Sequence, residues 1–154
     1  MELIGENKIT DVFNTWLQKH GFKTRISGID NDFYWNYDED TVTYSFVHAE
    51  SFCRDFTEVC VELGLVYDID IFWLSLFHEI GHGQTYQNVS DDGIWEADFL
   101  SGMDYYYCER EVVATEWAVN FINQHFDWLQ ELMEMARPVI IEFFTVNNIE
   151  VEED

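Results

Sequence analysis

The sequence predicts a mainly helical α+β domain with a short antiparallel sheet beside one buried central helix. Three observations point there. Apolar residues recur at helical spacing in several separate segments. Only the stretch from Phe33 to Phe46 switches to a period of two. Residues 68–83, Asp-Ile-Asp-Ile-Phe-Trp-Leu-Ser-Leu-Phe-His-Glu-Ile-Gly-His-Gly, hold too long an apolar run for a half-buried strand, with acids at the start and glycine at the end.

In chain order, Thr10 to Gly21 reads as a first helix. Val12, Phe13, Trp16, Leu17 and His20 form its stripe, Thr10 is a candidate N-cap and Gly21 a stop. A strand is expected within residues 22–31. Phe33, Trp35 and Tyr37 then alternate with Tyr34 and Asn36. After Asp38-Glu39-Asp40, Val42, Tyr44 and Phe46 alternate with Thr43 and Ser45, as in a β-hairpin with an acidic turn. The edge of such a sheet, if it overlooks a cleft, can take an extended peptide as an added strand.

Ser51 to Leu63, closed by Gly64, reads as a helix through Phe52, Cys53, Phe56, Val59 and Cys60. The central helix follows, with Asp68 or Asp70 able to cap its N-terminus and Gly83 suited to ending it. Gln84 to Tyr107 is expected to be irregular, anchored by Trp95 and Phe99. Long loops of this kind often serve as lids or binding loops. Glu109 to His125 returns to helical spacing: Val113, Ala114, Trp117, Ala118, Phe121 and Ile122 mark a buried face, and Glu116, Asn120, Asn123 and Gln124 a wet one. Trp128 to Ala136 and Val139 to Asn147 are expected as two helices split by Pro138, which lacks the N–H an unbroken ladder needs. The whole, 1–154, is read as a single domain: a core over about 32–126, C-terminal helices over 127–147 and a charged tail from 148 to 154.

A chain of 154 residues can bury about 68–70% of its unfolded surface. Hydrophobic residues at 47% and aromatics at 18% supply the core, so the acidity does not imply disorder. Seven Lys+Arg against 31 Asp+Glu give a formal charge of −24. Such a surface repels nucleic acid and attracts cations, basic peptides or proteins with basic grooves, which argues against direct nucleic-acid binding. The N-terminus lacks a basic, apolar leader, and no run of about 20 apolar residues is present, so a cytoplasmic protein without membrane contact is expected. Cys53, Cys60 and Cys108 are odd in number and lack zinc-finger spacing, which suits reduced thiols.

His78-Glu79-Ile80-Gly81-His82 is H-E-x-x-H. On a helix, His78 and His82 stand one turn apart and can hold one ion at about 2.0–2.1 Å from each imidazole. Glu79 is displaced sideways, so it can face a water on that ion. Zinc lowers the pKa of such a water to about 7, and a neighbouring carboxylate can take its proton. A third protein ligand is then needed. Glu96, Asp98, Asp104, Glu109 and Glu111 all follow the motif. Glu111 suits best because it opens an amphipathic helix whose alanines permit close approach; Glu109 is the alternative. An oxyanion donor could come from Tyr86, Tyr105, Tyr106 or Tyr107. His125 is a poor candidate, since it lies about 21 Å from Glu111 at about 1.5 Å per residue.

His78-Glu79-Ile80-Gly81-His82 followed by Glu111-Val-Val-Ala114-Thr115-Glu-Trp117-Ala118 resembles the gluzincin-type zincin metallopeptidases. It is most similar to the ImmA/IrrE-type peptidases of bacteria and mobile elements, whose second motif reads roughly E-x-x-A-N-x-F-A. The resemblance covers about residues 40–125, and Thr115 and Trp117 depart from it. It implies a zincin-like fold, Zn2+ held by His78, His82 and Glu111, Glu79 as general base and acid, and a protein or peptide substrate. No DNA-binding helix-turn-helix of the kind common in that family is expected within these 154 residues, so target choice does not carry over. A second class fits the charge: an acidic protein that occupies a basic nucleic-acid groove in a partner, as anti-restriction or anti-CRISPR inhibitors do, with a structural or vestigial zinc site. The histidine pair favours the peptidase.

Overall fold

The computed structural model describes residues 5–30, 32–46, 58, 60–62, 64, 71–96, 99–100 and 103–148. Helix α1 spans Glu6–Lys19, followed by β1 (Arg25–Ile29), β2 (Tyr34–Asn36) and β3 (Thr41–Tyr44). Then come α2 (Ile71–Thr85), a 3-10 turn (Tyr86–Asn88), two short helices α3 (Asp91–Glu96) and α4 (Met103–Tyr106), and the long helices α5 (Glu109–Gln124) and α6 (Phe126–Val146). The fold is α+β and mainly helical, as the periodicities imply. Most of the helix expected over residues 51–63, and both acidic caps proposed for α2, lie outside the described residues; positions 58 and 60–62 are helical.

α1 begins at Glu6, ahead of Thr10, and ends where Gly21 was expected to stop it. Gly21 adopts φ 81°. Its N–H donates to Gln18 O, and the Phe22 N–H donates to Leu17 O at 3.0 Å, closing the last carbonyls of the helix. Ile9, Phe13, Trp16 and Leu17 are its buried face. On the β1 side, the Asn14 side chain grips the Ile26 backbone twice, donating to Ile26 O at 3.0 Å and accepting from Ile26 N at 2.7 Å. That clamp fixes the first strand against the helix.

The sheet is mixed, not antiparallel, in the order β1-β3-β2. β2 and β3 form the expected hairpin, Trp35 opposite Val42, while β1 lies parallel to β3 with a shift between Ile26 and Gly28. Alternation in a sequence gives the faces of a strand. It gives direction only to strands joined by a tight turn, so β1 was open to either orientation.

α2 is buried from Trp73 to His82 and packs against α5, β2 and β3. It does not end at Gly83 but runs on to Thr85. The two glycines of this helix serve space instead. A Cβ at Gly81 would stand 2.8 Å from the Ala114 carbonyl of α5, and one at Gly83 would stand 2.6 Å from both Asp40 Oδ1 and Thr24 Oγ1. Close approach of α2 to α5 and to the hairpin turn is thereby written into the motif's neighbourhood.

The stretch from 84 to 107 is less irregular than expected, since the 3-10 turn, α3 and α4 break it up. The Trp95 side chain lies outside the described residues, and Phe99 is exposed instead of anchoring the segment. The two C-terminal helices are one. α6 continues through Pro138, burying Leu129, Leu132 and Ala136 before it and Phe143 after it. Pro138 and Glu134, whose carbonyl loses its donor, both lie on the exposed side, where water can replace the bond. Apolar burial on both flanks outweighs the interruption. Pro138→Ala is therefore expected to stabilise the protein by about 2–2.5 kcal/mol: roughly 3 kcal/mol of helix penalty is relieved, less about 0.4–1 kcal/mol for the added freedom of the unfolded chain. A urea melt with an unchanged or lower midpoint would show that the helix has adapted to the proline. Among the described residues no helix is long and apolar enough to cross a membrane.

Candidate metal centre

α2 delivers His78, Glu79 and His82 from one buried stretch, and α5 delivers Glu111 from its first turn; all four are at most 6% exposed. The Glu111 carboxylate spans the two imidazoles: Oε1 lies 3.2 Å from His78 Nε2 and Oε2 lies 3.0 Å from His82 Nε2. Donor atoms round a tetrahedral ion at about 2.0–2.1 Å stand roughly 3.3 Å apart, a spacing close to that between each Glu111 oxygen and its own imidazole. His78, Glu79 and His82 can also bring one ligand atom each within 4.8 Å of one another. Glu111 lies close to both imidazoles, whereas Glu79 approaches only His82, at 4.0 Å.

Glu109, the alternative third ligand, is engaged elsewhere. It accepts from Ser90 Oγ at 2.6 Å, while Ser90 Oγ accepts from Gly93 N at 3.0 Å and so caps α3. Glu96 and Asp104 are exposed, and Asp98 lies outside the described residues.

Charge is held tightly here. Burial works against an ionised Glu111, but His82 and His78 overcome it and hold its carboxyl far below the usual range. Burial likewise disfavours a charged His78, yet the Glu111 hydrogen bond and charge raise its pKa overall. Burial pushes the Glu79 carboxyl up against the pull of both imidazoles.

Thr115 sits one turn beyond Glu111 and joins the two helices at the cluster. Its hydroxyl donates to Glu111 O at 2.8 Å and lies 3.0 Å from His78 Nδ1. With its one proton given to the carbonyl, Thr115 Oγ1 accepts from Nδ1–H. That contact orients the ring with Nε2 toward Glu111. His82 is backed by Trp35, whose ring stacks at 6.0 Å and 22°. Trp35 is itself held by Asp40, which accepts from its Nε1 at 2.8 Å and from Thr24 Oγ1 at 2.8 Å. The acidic hairpin turn thus braces the second histidine.

A cavity of about 140 Å³ opens onto the cluster, lined by Tyr34, Trp35, Tyr37, Glu79, His82, Tyr105 and Arg110. Of the four tyrosines considered as donors, only Tyr105 lines it. Its hydroxyl accepts from Arg110 Nη2 at 3.1 Å, and burial together with the Glu111 charge pushes its pKa up to about 12. Tyr86 donates to Tyr37 at 2.5 Å, Tyr107 to Glu62, and Tyr106 packs edge-on against Tyr105. His125 stacks on Trp128 at 4.1 Å. Arg110 and Trp35 were not expected at the site. A cation directly before Glu111 in so acidic a chain was the available hint for Arg110; Trp35 looked like any other apolar position of the hairpin.

The fold and the site define an α+β, mainly helical domain with a buried His–Glu–His cluster closed by a carboxylate from a second helix. No family model, no curated protein and no solved structure matches the chain.

Proposed function

We propose that the chain is a small cytoplasmic zinc metallopeptidase of the zincin type, related to the ImmA/IrrE-type peptidases and acting on a protein or peptide substrate. One observation carries this reading: Glu111 meets both histidines of H-E-x-x-H while Glu79 stays beside them on the cavity wall. His78, His82 and Glu111 would hold the ion. A bound zinc would supply Lewis acidity and an activated water. Glu79 takes the proton of the attacking water and returns it to the leaving amine. Tyr105, already an acceptor for Arg110, keeps its own proton for the oxygen of the tetrahedral intermediate.

The formal charge of −24 supports a second reading, the acidic mimic that blocks a basic groove. Mimicry needs exposed carboxylates, however, and gives no reason to bury two histidines and two glutamates together. The purified full chain is expected to bind about one equivalent of zinc and to cleave an unfolded protein such as casein. Chelation should stop cleavage and zinc should restore it. A chain that takes up no zinc, yet inhibits a nucleic-acid enzyme in a salt-sensitive way, overturns the peptidase in favour of the mimic.

A further inference from the structure

Globally the chain is strongly acidic, but its cavity is not. Arg110 reaches the wall beside Glu79, His82 and Tyr105, and its side chain remains 26% exposed. Two of its five N–H groups are engaged, one by Tyr105 at 3.1 Å and one by Glu111 at 3.3 Å. Among the described residues no acceptor meets the other three. The two imidazoles approach Glu111 more closely than Arg110 does. With a divalent ion bound, the ion and Arg110 outweigh the carboxylates of Glu79 and Glu111 and leave the cavity with a net positive charge. Tyr34 and Tyr37, 60% and 56% exposed, stand at the same cavity and offer aromatic surface to a bound chain.

We propose that Arg110 is the anion-recognising side chain of this cavity, so that the peptide it accepts carries a carboxylate next to the bond presented to Glu79. The planar guanidinium fork suits a carboxylate, which it can grip through two parallel N–H donors. That carboxylate is either an acidic side chain or a free C-terminus. The acidic outer surface would repel a wholly acidic substrate, so the carboxylate is a local feature of a chain that is otherwise neutral or basic.

This inference rests on the peptidase reading for the bond to be cleaved, but its test does not need cleavage. Three peptides are titrated calorimetrically into the full chain, once with chelator and once with zinc: acetyl-Ala-Glu-Ala-amide, acetyl-Ala-Gln-Ala-amide and acetyl-Ala-Gln-Ala with a free C-terminus. One or both carboxylate peptides are expected to bind about tenfold or more tighter than the neutral one, the scale of a charge-assisted hydrogen bond. Preference for the first identifies an acidic side chain, and preference for the third a C-terminus. Arg110→Gln should erase the difference, and Arg110→Lys should keep part of it. Equal binding of all three, no binding of any, or a preference that survives Arg110→Gln overturns the proposal. Failure of the peptidase reading looks different: no zinc is bound, yet the carboxylate preference persists in chelator. Zinc uptake without that preference sinks only the role given to Arg110.

Discussion

Glu111→Gln is expected to yield a chain that no longer retains zinc and whose metal-free form is less stable by about 1–3 kcal/mol. The side chain is 3% exposed and meets His78, His82 and Arg110. Glutamine keeps the shape but drops the charge, and its amide turns a donor toward nitrogens that need an acceptor. His78 can lose its proton in response, which holds the stability loss below the about 3–5 kcal/mol of a buried charge left wholly unpaired. Zinc affinity has no such escape. Loss of a mere outer-shell partner weakens a site by about 10–100-fold, and loss of the only anionic ligand should exceed that. Competition against a chromogenic chelator measures the affinity, and urea melts with chelator present measure the stability. Unchanged zinc affinity would move the third ligand to Glu79, the other carboxylate close enough to serve.

The helical half of this fold was readable because its signals are local. His78 and His82 share a face by spacing alone, and the face of α5 that carries Ala114 and Ala118 follows from its own periodicity. What failed was non-local. Gly83 resembles a helix stop in sequence. In space it is the residue that lets Asp40 and Thr24, far upstream in sequence, lie against α2. Pro138 signals a break, and only the burial of Leu132, Ala136 and Phe143 along one line shows why the helix continues. β1 pairs parallel with β3 and is held to α1 by the Asn14 clamp, and neither contact is encoded in a strand pattern. At the site, the alternatives Glu109 and Glu111 differ by two positions, about 200° of helix at roughly 3.6 residues per turn. The chain could therefore offer only one of them to the histidines, and Ser90 takes the other. Trp35 and Arg110 escaped notice because their roles come from the third dimension: a hairpin ring laid on His82, and a guanidinium aimed past Glu111 at Tyr105.

Glu79→Gln separates the two jobs a carboxylate could do here. Glu79 is 6% exposed and lies on the cavity wall, and its closest approach to the histidines is 4.0 Å, too long for the contact Glu111 makes. If it is the base, the amide should fold and hold zinc as the parent does, because no ligand has been removed. Turnover should fall by about 10²–10⁴-fold, the usual contribution of a positioned general base. The loss should appear in kcat more than in KM, since the proton is in transit only at the transition state. Cleavage rates at saturating substrate, taken with metal content on the same sample, make the comparison. Zinc lost together with activity would make Glu79 a ligand and leave the proton to another group. Full activity with zinc retained would remove Glu79 from the chemistry, and a helix bearing two histidines and an idle buried glutamate would then need a different explanation. The amide variant is informative because it changes one charge and almost no volume. Packing against α5 and the Trp35 stack on His82 should stay as they are, so a change in rate reports proton transfer and not the shape of the cavity.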